Sequence, residues 1–352
     1  LFRSEANNNN NIQYNDNNKE IHKREEEIEP LLNNDDLQKA EINYDEKTGH
    51  KIVNEFLFQE TLGRGAYSKV KKCINTKTNQ EFAVKIVNNY LLRKKKKAFD
   101  KTTSGSLLIH YMIEDALNEI KTYKALPCEH PNILSLYQII NDKEKDKTYL
   151  IMELAEKGSI VSLDEKTGVF TLNKSYDNDK YDEKLIKSWI LDVAKGLKFL
   201  HENNIAHCDI KSDNIVLGKD GHCKLADFGN SLRINDNEDD NENFLRTQGN
   251  IYFFPPELVE EKEKEKENEK KNIDYKCVDI WTLGISMYTC IYKCLPFLPE
   301  NRENIVELFK AISNANFDYN KNGVAISENM KTLLQHLLEK DPEKRFTAND
   351  IV

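Results

Sequence analysis

No two of the seven cysteines (Cys73, Cys128, Cys208, Cys223, Cys277, Cys290 and Cys294) stand in a Cys-x-x-Cys spacing. An odd number of thiols scattered through a large domain offers no disulfide framework, which predicts reduced thiols and a cytoplasmic setting with nuclear access open. No apolar stretch approaches the roughly 18 residues of a membrane span, so a soluble chain is expected. Excess positive charge is also missing. Against 51 Lys and Arg stand 60 Asp and Glu, a net charge of -9, and a nucleic-acid partner would require clustered cations. The chain opens on Leu1 instead of methionine, so a fragment is expected, truncated at its C-terminal end as well.

What is present falls into three stretches. Asparagine dominates from Asn7 to Asn18 and charge from Lys19 to Glu29, too little apolar surface to offset ordering entropy. We therefore expect a flexible extension over 1–53. Apolar residues then gather at Phe56, Leu57, Phe58 and Leu62, as in a first strand, with further strands at Lys71–Ile74, Glu81–Val87 and Tyr149–Met152. Leu117, Ile120, Tyr123 and Leu126 recur at helical spacing over Glu114–Leu126. A polar, glycine-ended connection at Glu153–Gly158 divides this part, 54–155, from a mostly helical remainder, 156–352. Arg93–Gly105, Asp236–Asn243 and Glu260–Asn272 are polar inserts expected as surface loops. The basic run Arg93–Lys97 is expected as a solvated face, with a docking site or a latch for the acidic insert as alternatives.

The chemistry concentrates in three motifs. Asp227-Phe228-Gly229 follows His207-Cys208-Asp209-Ile210-Lys211-Ser212-Asp213-Asn214, with Asp227 eighteen positions (227 minus 209) after Asp209. Upstream, Gly63-Arg64-Gly65-Ala66-Tyr67-Ser68-Lys69-Val70 is followed by Phe82-Ala83-Val84-Lys85. A phosphoryl group in transfer spreads negative charge over three oxygens, so a protein must mainly position it and supply cations and backbone donors. Two carboxylates, an amide and a lysine in this order suit that task, with glycines that let backbone approach phosphates.

Over residues 54–352 the chain resembles the eukaryotic protein kinase family. The resemblance implies an α+β, bilobal fold with a small antiparallel β lobe carrying one key helix and a larger helical lobe. It implies ATP and Mg2+ as cofactors, and protein substrates. Asp209 would accept the proton of the substrate hydroxyl, Lys211 would neutralise the moving phosphate, and Asn214 and Asp227 would hold the metal. Lys85, held by Glu119, would grip the first phosphates. Leu62, Gly63, Gly65, Val70, Ala83, Met152, Glu153, Ala155 and Val216 would surround the nucleotide, Glu153 and Ala155 through backbone hydrogen bonds. Lysine two places after Asp209 is the serine/threonine form of the loop. His207 resembles an internal core residue, Asp279 one that ties down the catalytic loop, and Glu257 one that pairs with Arg345.

Departures also carry information. Cys208 stands where many family members have an arginine that receives a phosphate, and Arg246 where they carry the phosphorylated threonine. Activity without that switch is expected, with Thr247 and Ser231 as remaining acceptor hydroxyls. Asn250 replaces a threonine that contacts the catalytic aspartate and lysine. Lys51–Phe56, Asn88–Arg93, Leu217–His222 and Leu225–Asp227 are similar to the calcium/calmodulin-dependent protein kinase kinase group and its plant and fungal relatives. That similarity implies an upstream kinase acting on activation loops; calmodulin binding has no segment to judge it by. The alternative is a pseudokinase or ATP-binding scaffold, drawing on Cys208, Ser68 and Asn250. A small-molecule kinase is disfavoured by the peptide-binding segment Asp227–Glu257.

Overall fold

The computed structural model describes residues 38–65, 68–101, 107–164, 169–173, 182–234, 250–259, 273–299 and 304–352. The chain divides into two compact units, one running up to Leu92 and taking in Tyr137–Ile151, the other comprising Arg93–Leu136 and Met152–Val352. The first is built on a sheet and the second mostly on helices, as an α+β chain requires.

The sheet has eight strands in the order Gln38–Lys39, Leu136–Asp142, Lys147–Met152, Glu81–Asn88, Ser68–Asn75, Phe56–Arg64, Lys51–Val53 and Ile42–Tyr44. Alternation explains its core: Phe56 and Phe58 point inward from one strand, opposite Asn75 and Cys73, and join Val53, Phe82, Val84, Ile140, Tyr149 and Ile151. Phe56 and Phe82 meet edge to face at 5.7 Å. Register shifts between Phe58 and Gly63 twist the strand that leads into the glycine turn. Three strands lie within 38–53, so the end of the expected flexible extension belongs to the sheet. Their polar, two- and three-residue segments carry no alternation that a sequence pattern would register. Residues 1–37 lie outside the described part.

The insert Arg93–Gly105, expected as a loop, contains the strand Lys96–Lys101, which pairs antiparallel with Leu107–Tyr111. Backbone pairing alone, in a lysine-rich segment, leaves no hydrophobic period to read. The inserts Asp236–Asn243 and Glu260–Asn272 lie outside the described residues.

The second unit packs around the helices Glu183–Glu202 and Tyr275–Tyr292. Asp182 caps the first by accepting from the Lys184 and Leu185 N–H groups, and Asp274 caps the second through Lys276. Tyr275–Tyr292 is buried nearly all round, as a helix apolar on every face must be. Trp189, Leu197, Phe228, Leu283 and Met287 fall in one core cluster, and Trp281, Ile285, Phe297 and Leu308 in another. A small sheet of Gly158–Ser159, Ile215–Leu217 and Cys223–Leu225 carries the loops described next.

Candidate active site

The loop bearing Asp209 is fixed from below by a buried carboxylate. Asp279, on the helix Tyr275–Tyr292, accepts the His207 N–H at Oδ2 and the Cys208 N–H at Oδ1, both at 2.8 Å. His201 Nε2 lies 2.9 Å from the same Oδ2. Asp279 thereby ties down the loop as expected, and the backbone turns through a left-handed Cys208 (φ 61°) into Asp209.

Three nitrogens converge on one oxygen of Asp209. Lys211 Nζ donates to Oδ2 at 2.8 Å, Asn214 Nδ2 at 3.0 Å and Asn230 Nδ2 at 3.2 Å. None of these three bonds goes to Oδ1. Burial works against the Lys211 ammonium, but the Asp209 carboxylate with Asp227 and Asp213 outweighs it, so the lysine is held above its ordinary range and stays charged. Burial is also what raises the Asp213 carboxyl. Asn214 Nδ2 also donates to the Asp209 carbonyl at 2.9 Å, so both contacts use the amide nitrogen and neither uses its oxygen.

Asp227 lies close by in the chain of hydrogen bonds, since Ala226 N–H donates to the Asn214 carbonyl at 2.9 Å. Its φ of 65° is left-handed, a conformation that costs a non-glycine residue on the order of 1–3 kcal/mol and persists only where the surroundings impose it. Phe228, fully buried, is held edge-on to Tyr123 at 4.9 Å and tilted against His207 at 5.1 Å. His207 thus takes the core position expected of it. Burial pushes the Tyr123 phenol well up, with the Glu119 and Asp227 carboxylates adding to the effect. Among the described residues no cluster of three His, Cys, Asp or Glu side chains forms a metal site. One carboxylate and one amide oxygen, completed by phosphate oxygens, nevertheless fit a small hard cation.

The nucleotide-contacting candidates divide between the units. In the sheet, Gly63 pairs with Val70 and Arg64 with Lys69, while Lys85 stands opposite Val70 and Ala83 opposite Lys72. The turn closes through Gly65 N–H to the Ser68 carbonyl at 3.0 Å. A Cβ at Gly63 would meet nothing within 4 Å, the open backbone a phosphate needs. Leu62 is exposed; Ala66 and Tyr67 lie outside the described residues. In the second unit Glu119 is buried on the helix Ile113–Ala125 and Met152 is buried. Glu153 N–H is taken by the Ser135 carbonyl at 2.9 Å, so this residue offers a base its carbonyl and not its N–H. Its carboxylate is tied to Lys224 Nζ at 2.9 Å. Ala155 accepts at its carbonyl from Gly158 N–H at 3.1 Å, and Val216 sits in the strand paired with Ser159 and Lys224.

Several positions differ from the sequence reading. Asn250 Oδ1 accepts from Tyr252 N–H at 3.1 Å, capping the short turn Ile251–Phe253; the added polar contact to the Asp209 carboxylate comes from Asn230 instead. Asn230, Lys224, Asn118 and Thr122 were not legible as site residues, because none stands at a distinctive spacing. Ser231 is 1% exposed, which removes it as an acceptor hydroxyl. Arg246 and Thr247 lie outside the described residues. Arg345 grips both oxygens of Glu257, at 2.7 and 3.0 Å, with its guanidinium over the Trp281 ring.

Residues 56–352 match the family described as "Protein kinase domain". A Dictyostelium discoideum protein whose name reads "Probable serine/threonine-protein kinase" is 30% identical over 305 residues, covering 87% of this chain and 38% of its own. Serine/threonine-protein kinase TOS3 of Saccharomyces cerevisiae is 31% identical over 337 residues, 90% of this chain and 55% of its own. Serine/threonine-protein kinase GRIK1 of Arabidopsis thaliana is 27% identical over 309 residues, 87% of this chain and 67% of its own. The chain spans about half the length of the first two relatives, 38% of one and 55% of the other.

Proposed function

This chain belongs to the protein kinase family, and on that premise we infer that it transfers the γ-phosphate of ATP to serine or threonine hydroxyls of proteins. The family uses ATP and a divalent cation; Mg2+ is our proposal for the cation, in keeping with the oxygen donors of Asn214 and Asp227. Bound there, the cation supplies positive charge to the phosphates. The chain's own residues do the rest. Asp209 takes the hydroxyl at Oδ1 and receives its proton, Lys211 faces the moving phosphate as an ammonium, and Asn214 keeps Asp209 from rotating. The Lys85–Glu119 pairing and the nucleotide contacts implied by the resemblance are part of the same proposal.

The observation that carries the reading is the convergence of Lys211, Asn214 and Asn230 on a single oxygen of Asp209. Transfer from Mg2+-ATP to a generic basic protein should fall at least about 100-fold in Asp209→Asn, the usual worth of a positioned base, while ATP binding survives. Wild-type protein that binds ATP and transfers nothing would instead favour the scaffold reading. The finer proposal is that substrates are activation segments of other kinases, supported by the similarity at Lys51–Phe56, Asn88–Arg93, Leu217–His222 and Leu225–Asp227. Preference for peptides of that origin over the generic protein is its test.

A further inference from the structure

The helix Ile113–Ala125 carries Glu119, but its neighbours Asn118 and Thr122 do something the kinase motifs do not assign. Four residues apart, they share one face of the helix. The Asn118 amide donates to the Ser231 carbonyl at 2.7 Å and the Gly229 carbonyl at 3.1 Å, with longer approaches of 3.4 Å to the Phe228 carbonyl and the Ser231 hydroxyl. Thr122 Oγ1 lies 2.6 Å from Ser231 Oγ, and that hydroxyl donates on to the Phe228 carbonyl at 2.8 Å. Thr122 is fully buried and Ser231 1% exposed.

We propose that Asn118, Thr122 and Ser231 form a polar clamp that holds Asp227 in its left-handed conformation, so that the Glu119 helix and the Asp227 segment behave as one piece. The inference rests on the kinase reading and concerns regulation of that same site; Asn118 is a positioning residue and touches no reacting atom. Two physical points support it. The two closest groups facing Asn118, the Ser231 and Gly229 carbonyls, only accept, so the site favours a side-chain donor over a carboxylate or an alkyl group. Turning Asp227 out of its strained conformation would carry the Phe228, Gly229 and Ser231 carbonyls with it, stranding buried donors. The clamp is therefore what makes the left-handed aspartate stable before any cation arrives. A site assembled this way needs no covalent switch to order the segment.

Asn118→Leu and Thr122→Val remove the donors at nearly constant volume. In metal-free protein, amide hydrogen exchange over residues 227–231 should accelerate about tenfold or more in either variant, while the helix Tyr275–Tyr292 keeps its protection. The Mg2+ concentration that half-saturates ATP binding by calorimetry should rise about fivefold. Unchanged exchange and an unchanged Mg2+ requirement would overturn the clamp. Exchange that accelerates equally in Tyr275–Tyr292 would overturn it too, by assigning a general structural role. Should Asn118→Leu not fold, Thr122→Val carries the same comparison. If wild type binds Mg2+-ATP but transfers no phosphate, the kinase reading fails while the exchange data still decide the clamp.

Discussion

Asn230 follows the Asp227–Gly229 motif and donates to Asp209 Oδ2 at 3.2 Å. It is the longest of the three bonds on that oxygen, so its removal leaves Lys211 and Asn214 in place but loosens the carboxylate's rotation. Asn230→Ala should lower kcat about tenfold, equivalent to ~1.4 kcal/mol, with the KM for ATP nearly unchanged; a change confined to KM would place Asn230 in nucleotide binding instead. A second residue-scale effect lies in the sheet. Lys51 Nζ donates to the buried Tyr149 hydroxyl at 2.6 Å, which donates in turn to Asp142 Oδ2 at 3.2 Å. Burial, reinforced by Lys145 and offset by Asp142, lowers Lys51 to about 8. At this group the unfolded chain binds more protons than the folded one between about pH 8 and the ordinary lysine value, so the Lys51 contribution to stability rises with pH through that window. Burial and Asp142 push the Tyr149 phenol up, which reverses the trend once the unfolded tyrosine ionises. Buried thiols such as Cys73 and Cys290, also pushed up by burial, oppose the Lys51 contribution from about pH 9, so the test is a difference. Between about pH 8 and 10 the Tm of wild type should rise relative to that of Lys51→Met, and a constant difference would refute the Lys51 contribution.

At the scale of elements, close approach sets the tolerances. A Cβ on Gly196, in the helix Glu183–Glu202, would sit 2.9 Å from the Asn132 carbonyl oxygen and 3.0 Å from Leu225 Cδ1. Neither neighbour can yield easily. Asn132 O accepts from Leu225 N–H at 2.9 Å, and Asn132 Nδ2 donates to the Cys223 carbonyl at 2.9 Å. Alanine is the better helix former by about 1 kcal/mol, yet Gly196→Ala should destabilise the chain by about 1–3 kcal/mol through overpacking; denaturant unfolding that shows equal or greater stability would refute this. The same scale explains what the sequence made legible. The glycine turn, Lys85, Asp209, Lys211, Asn214 and Asp227 stand out because phosphoryl transfer demands those side chains in that order. The strands Gln38–Lys39 and Ile42–Tyr44 do not, since strands this short are recruited by backbone pairing, the first to Leu136–Asp142 and the second to Lys51–Val53. Asn118 and Thr122 were hidden for the opposite reason. A polar pair four apart on a helix looks like a solvent face until the segment around Phe228 is seen to cover it.

For the whole molecule, the question is what keeps the site assembled. Cys208 occupies the place of a phosphate-receiving arginine, and the fold gives it a different task. It is 7% exposed, packed in a cluster with Ala206, Leu232, Phe254 and Leu258. Burial, with the Asp279 carboxylate adding to it, pushes its thiol well up, so the sulfur stays neutral and inert. A neutral thiol in an apolar cluster makes no charge-assisted bond to a phosphate. Placing an arginine there would bury a guanidinium among Leu232, Phe254 and Leu258, and charges without partners are costly to bury. Cys208→Arg should therefore lower Tm and raise no phosphate-dependent activity. The anchoring that remains is internal: Asp279 on the His207 and Cys208 amides, Arg345 on Glu257, and the side chains of Asn118 and Thr122 around Ser231. None of these contacts involves a phosphate. Phosphatase-treated protein should accordingly keep at least about half of its turnover, since each contact is made by the unmodified chain; a loss of more than about tenfold, restored by rephosphorylation, would show that a phosphorylated side chain supplies ordering that these bonds do not.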